Sequence, residues 1–144
     1  MDHGLPRFCL QIPESIFAEM VAQAQATLPE ECVGLLAGTR EGLVTHHFPL
    51  VNALAHPCRF ESEPRSMFLA EKIRRREGLE ILAVYHSHPT SPPVPSRHDL
   101  SGHYSPDVQS VIISLMDTVP EVRSYWLMDD GYEAALWRLG PSER

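Results

Sequence analysis

Cysteine is scarce in this chain and unpaired in pattern: Cys9, Cys32 and Cys58 are odd in number, far apart, and form no C-x-x-C. That excludes a disulfide framework and a Cys-rich metal knuckle, and it suits a reducing compartment. No apolar run approaches the length of a membrane span, and Met1 to Phe17 holds no stretch of signal-peptide type. The expectation is a cytoplasmic protein with no membrane partner. Positive charge is also in deficit, with 12 Lys and Arg against 19 Asp and Glu and a formal net charge of -7. Such a balance argues against nucleic acid as a partner. The one basic cluster, Lys72 with Arg74, Arg75 and Arg76, reads as the solvated face of a helix. Internal repeats and low-complexity tracts are missing.

What is present is an ordinary globular composition, 43% apolar and 22% charged over 144 residues. That length suits one domain, 1–144, with a real hydrophobic core. Pro13-Glu14 opens a first helix, with proline in its first turn and an acid at the positive end of the dipole. Ile16, Met20, Ala24 and Leu28 recur at helical spacing, Phe17 and Val21 widen the stripe, and Pro29 ends it. Strands are expected over Cys32 to Ala37 and Leu43 to Val51, with Cys32 a buried small hydrophobe, then a loop from Asn52 to Pro64. A second helix runs from about Pro64 to Glu77 with Met67, Leu69 and Ile73 partly buried, and Gly78 stops it. A strand follows from Leu79 to Tyr85. The proline-rich stretch Pro89 to Ser96 suits neither helix nor central strand. Three more strands, Val108 to Met116, Val122 to Met128 and Tyr132 to Leu139, follow, the last two joined by a tight turn at Asp129-Asp130-Gly131. The fold class is α/β, with a central mixed sheet flanked by two or three helices.

The most informative stretch is His86-Ser87-His88-Pro89, followed by Pro95-Ser96-Arg97-His98-Asp99. Side chains at i and i+2 of an extended chain point the same way, so a strand ending here carries both imidazoles onto one face. With Asp99 they offer three of the four ligands of a tetrahedral zinc, leaving one position for water, as in a catalytic rather than a structural site. Such an ion lowers the pKa of bound water from 15.7 to ~7 and polarises a carbonyl, so amide hydrolysis at neutral pH is within reach.

That chemistry also needs a general base. Glu31, just before the apolar strand, is the candidate; Glu30 competes on composition, and the spacing E-x-x-G favours Glu31. Gly34 would allow close backbone approach beside a site. Ser96 could donate its hydroxyl to a developing oxyanion, and with Asp99 it also reads as a capping-box-like helix start. His98 adjoins Asp99 but points about 100° away on a helix, and so reads as exposed. His46, His47, His56 and His103 lack partner spacing and read as structural or surface residues.

At these residues the chain resembles the JAMM (MPN+, Mov34/PAD-1) metallopeptidase family. Its motif, a glutamate before an apolar strand, then H-x-H-P, then S-x-x-D, stands here as Glu31, His86-Ser87-His88-Pro89 and Ser96-Arg97-His98-Asp99. The likeness extends to Asn52, Pro57 and Phe60, similar to the family's N-x(4)-P-x-x-F segment. The resemblance implies a single MPN domain of cytidine-deaminase-like α/β fold. By analogy, zinc is held by His86, His88 and Asp99, Glu31 is the general acid/base, and Ser96 assists the tetrahedral intermediate. The implied substrate is a peptide or isopeptide bond at the C-terminal tail of a ubiquitin-like protein. The chain's short form is closest to stand-alone prokaryotic members, whose partners are ubiquitin-like sulfur-carrier proteins. A non-catalytic MPN-type scaffold is the alternative, but such relatives have lost zinc ligands that this chain keeps. Nucleoside deamination would need H-x-E with P-C-x-x-C, and the sequence has neither.

Overall fold

Two strands are buried at every position, Val33–Gly38 and Gln109–Ser114, and both are interior to the main sheet. The computed structural model describes residues 7–54, 64–101 and 105–140. In chain order the elements are β1 (Leu10–Pro13), α1 (Glu14–Thr27), β2 (Val33–Gly38), β3 (Val44–Leu50), α2 (Pro64–Glu77), β4 (Glu80–His88), α3 (Arg97–Ser101), β5 (Gln109–Ser114), β6 (Glu121–Met128), β7 (Gly131–Ala134) and β8 (Trp137–Gly140). The main sheet has the order β3-β2-β4-β5-β6-β7. Only β4 and β5 run parallel; every other neighbouring pair is antiparallel.

The two long helices cover opposite faces. Ile16, Met20 and Ala24 of α1 pack with Leu36, Ala83, Tyr85, Val111 and Ile113. Ala70 of α2, with the partly buried Met67, packs on Val33, Leu35 and Leu50. Each fully buried Val, Leu, Ile or Met of these clusters contributes about 1.5–3 kcal/mol relative to exposure. Burial on both faces is why β2 reads as a continuous apolar run rather than an alternating one. In β4, Leu82 is an extra residue, since Leu36 pairs with Ala83 and Ala37 with Ile81. This bulge resets the alternation, so Val84 faces α2 while Ala83 and Tyr85 face α1.

The structure departs from the sequence reading at several points. Leu10–Pro13 is a strand that the sequence did not suggest, paired in parallel with β8 in a separate two-stranded sheet. Pro13 therefore precedes α1 as its cap and is not in its first turn, and Leu28 lies past the helix end, exposed. The single strand expected over Tyr132 to Leu139 is two, because the chain leaves β6 and crosses to β1. Buried Gln109 secures that crossing: its Nε2 donates to Phe8 O at 2.9 Å and Leu136 O at 3.0 Å, and its Oε1 accepts from Ser124 Oγ at 2.6 Å. Leu69 is exposed beside Phe68, because the face that α2 turns to the sheet is spent on Met67 and Ala70. The basic cluster sits as expected, with Arg75 and Arg76 in solvent and Arg74 paired to Glu71. His56, Pro57, Cys58, Phe60 and His103 lie outside the described residues.

Candidate metal centre

Strand β4 runs on past Tyr85 to His88, so both histidines are strand residues. His86 lies between Val33 of β2 and Ile112 of β5, and His88 lies beside Ser114. Beyond β4 the proline-rich segment turns back under two tethers, Ser114 Oγ to Ser91 O at 2.7 Å and Tyr125 Oη to Pro93 O at 2.6 Å. It delivers α3, where Ser96 and Asp99 form a reciprocal cap. Ser96 N–H donates to Asp99 Oδ2 at 2.8 Å, and Asp99 N–H donates to Ser96 Oγ at 3.1 Å. The cap fixes the Asp99 carboxylate while leaving the Ser96 hydroxyl proton free of that exchange.

The three side chains converge. His86 Nε2 and His88 Nε2 are 3.2 Å apart, His86 Nε2 is 3.2 Å from Asp99 Oδ1, and His88 Nε2 is 3.2 Å from Asp99 Oδ2. Ligand atoms 2.0–2.1 Å from one tetrahedral ion sit about 3.3 Å from each other, so these spacings fit a single small divalent cation. His86, His88 and Asp99 are 1%, 4% and 6% exposed. Three lone-pair donors gathered in so little water need a proton or a cation between them. His88 Nδ1 donates to Pro92 O at 2.8 Å, which leaves Nε2 as the ring nitrogen facing the cluster, the one that could ligate once deprotonated. Among the described residues, this is the group of histidine, cysteine and acidic side chains able to share an ion.

The electrostatics follow from burial and proximity. Burial lowers His86 despite its hydrogen bond to Asp99. Burial also pulls on His88, but its bonds to Asp99 and Pro92 O carry it above the ordinary histidine value. Burial opposes ionisation of Asp99, yet hydrogen bonds from both histidines hold its carboxyl well below the usual carboxylate range.

Glu31 precedes β2 and is 3% exposed, with Oε1 buried and without a hydrogen bond. Burial pushes its carboxyl up to about 8, with His88 opposing the rise and Asp99 adding to it. The buried acid beside the cluster is therefore Glu31, whereas Glu30 is half-exposed. The backbone around Glu31 is pinned. Asn52 Nδ2 donates to Glu31 O at 3.0 Å, Cys32 N–H donates to Ser87 Oγ at 2.8 Å, and Ser87 N–H donates to Cys32 O at 3.2 Å.

Residues 13–128 match the family described as prokaryotic homologs of the JAB domain. The chain belongs to this family. The JAB-domain chain is 39% identical over 99 residues to the probable TtuB-protein conjugate cleaving protease of Thermus thermophilus, a match covering 68% of this chain and 64% of that protein. It thus spans just under two thirds of that relative's length. It is 28% identical over 124 residues, 85% of each chain, to the CysO-cysteine peptidase of Mycobacterium tuberculosis. Among solved structures, a protein from Desulfitobacterium hafniense superposes with a TM-score of 0.84 at 32% identity, covering 92% of this chain and 94% of that one.

Two sequence expectations about the JAB-domain site need correction. Gly34 makes its close approach to the Tyr85 ring on the α1 face, not to the metal centre, which lies on the other face. His98 is half-buried rather than exposed, and its charge helps lower His86. Ser87 went unread because it alternates away from the two histidines. The clue was available, since a polar side chain within a strand buried on both faces needs a partner. His47 does serve structure, bonding Tyr85 Oη through Nε2 and Glu19 through Nδ1 at 3.2 Å, while His46 Nδ1 bonds its neighbour Thr45 Oγ1 at 2.8 Å.

Proposed function

We propose that this protein is a zinc-dependent peptidase or isopeptidase that hydrolyses the bond after the C-terminal tail of a ubiquitin-like, sulfur-carrier-type protein. The observation that carries this reading is the buried convergence of His86, His88 and Asp99 at 3.2 Å spacings beside an acid, Glu31, that has no structural partner for Oε1. A structural ion would be closed by a fourth protein ligand; among the described residues the group that can share an ion holds three. The named activities of the Thermus and Mycobacterium relatives, cleavage of a TtuB-protein conjugate and of CysO-cysteine, point to the same substrate class.

In this reading His86 and His88 would hold the zinc through Nε2 and Asp99 through its carboxylate. When bound, zinc supplies a Lewis acid and a water acidified to a pKa of ~7. The Glu31 carboxylate would take a proton from the attacking water and return it to the leaving amine. Ser96, whose Oγ accepts the Asp99 amide, donates its remaining hydroxyl proton toward the oxyanion. Pro92 O keeps His88 in its ligating tautomer through the Nδ1 bond.

The test has two arms. Elemental analysis should find about one zinc per chain in the wild type and none in His86→Ala. A ubiquitin-like carrier joined through its C-terminal glycine to aminocoumarin should then be hydrolysed by the wild type and several orders of magnitude more slowly, at a small residual rate, by Glu31→Gln. Zinc binding without turnover on any carrier adduct would overturn the peptidase reading. A wild type that takes up no zinc would favour a scaffold domain.

A further inference from the structure

Ser87 stands between the two histidine ligands, yet successive strand residues face opposite ways, and it is fully buried on the α1 side. The β2–β4 pairing begins only at Val33 opposite His86, so the regular pairing of the two strands stops short of Glu31. Ser87 continues it. Its hydroxyl accepts Cys32 N–H at 2.8 Å and its own N–H donates to Cys32 O at 3.2 Å. On the other edge of the same peptide, Asn52 Nδ2 donates to Glu31 O at 3.0 Å. Asn52 is itself oriented by Leu54 N–H, which donates to Oδ1 at 3.0 Å. The peptide between Glu31 and Cys32 is thus held by its carbonyl and its N–H at once, which fixes the direction of the Glu31 Cα–Cβ bond. No hydrogen bond at Oε1 does this work from the other end.

We propose that Ser87 and Asn52 are positioning residues that aim the Glu31 carboxylate at the metal centre, an assignment that rests on the general-base role proposed above. The amide of Asn52 is needed because one neighbour is a pure acceptor and the other a pure donor, a pair no carboxylate can satisfy. Misplacing a catalytic group by about 1 Å costs on the order of 100-fold in rate, so the clamp is expected to act on kcat rather than on substrate binding.

The experiment uses zinc-loaded full-length protein and the carrier–aminocoumarin adduct, with Ser87→Ala, Ser87→Thr and the near-isosteric Asn52→Asp, each alone and combined with Glu31→Gln. Ser87→Ala and Asn52→Asp should retain zinc, lower kcat about 10- to 100-fold at unchanged KM, and cost nothing further in the Glu31→Gln background. Ser87→Thr should recover most of kcat. Full activity in Ser87→Ala and Asn52→Asp, or losses that persist in the Glu31→Gln background, overturn the proposal. Loss of zinc in step with activity would likewise make Ser87 a support of the ligands alone. Should the wild type hydrolyse nothing, the peptidase reading fails separately and amide exchange at Cys32 decides the clamp. Faster exchange in Ser87→Ala upholds it, and unchanged protection overturns it.

Discussion

Tyr85 and Gly34 lie opposite each other on β4 and β2, and the tyrosine ring occupies the space where a side chain at position 34 would begin. The ring cannot withdraw easily, because its hydroxyl is tied to Gln23 on α1 and to His47 on β3. Gly34→Ala should therefore destabilise the protein by about 1–3 kcal/mol or more, the usual cost of overpacking. Tyr85 precedes His86, so the same substitution should weaken zinc binding. Thermal melts with and without zinc would read both effects, and a variant with wild-type melting would mean that the ring has somewhere else to go.

Zinc should stabilise the wild type by mass action, raising Tm as free zinc rises above its Kd, by about 2.7 kcal/mol at 100 times Kd. His88→Ala removes a proposed ligand and its bond to Pro92 O, and its Tm should hardly respond to zinc. Stripping the wild type with a chelator should return it to its metal-free Tm. Equal zinc responses in the two proteins would place the ion elsewhere.

Burial, with Asp99 adding and His88 opposing, raises Glu31 to about 8 in the metal-free protein. The folded state then keeps a proton that the unfolded chain releases above pH 4.5, the model value. Stability from this group falls as pH rises from 4.5 toward 8 and levels off beyond. Glutamine cannot ionise. Under chelator, Glu31→Gln should gain on the wild type across that window by an amount on the order of a few kcal/mol. Urea unfolding at pH 5, 6.5 and 8 measures the gap, and a gap that stays constant would mean a solvated carboxyl.

Ser96→Ala removes the cap on α3 and should cost about 0.5–2 kcal/mol of stability. If its hydroxyl also serves the oxyanion, kcat should fall about 100- to 1000-fold with zinc retained. A stability loss with unchanged kcat would leave Ser96 with the cap alone.

Leu69 and Leu36 make a paired test of the two faces. Leu69 is 52% exposed and Leu36 is fully buried against α1. Leu69→Ala should change stability by less than about 0.5 kcal/mol, whereas Leu36→Ala should cost about 2–5 kcal/mol. Denaturant midpoints compare them directly.

Elements with strong local patterns were legible in the sequence. Helix α2 stands at Pro64–Glu77 and stops at Gly78, whose φ of 69° suits glycine. The turn before Gly131 joins β6 to β7 as the Asp-Asp-Gly run indicated. The short strand β1 was not legible, because four residues with two alternating apolar positions carry no periodicity. Its partner β8 lies more than a hundred residues away. Leu69 was misplaced for a related reason: helical spacing defines a stripe, but the sheet's position decides which part of the stripe is covered.

The sequence by itself determined which side chains could meet. H-x-H on a strand must place two imidazoles on one face, and S-x-x-D at a helix start must turn its carboxylate back on its own cap. Both constraints are local and act within a few bonds. The tertiary structure carries Asp99 to both histidines and buries Glu31 beside them, as the motif spacing favoured, and it alone shows Ser87 and Asn52 gripping the Glu31 peptide. Those relations join β4 to α3 across the proline-rich segment and to the β2 approach through hydrogen bonds between residues 21 and 55 positions apart. The pairing register of the sheet sets Ser87 beside Cys32, and that register is settled by burying both faces of β2 and β5 at once.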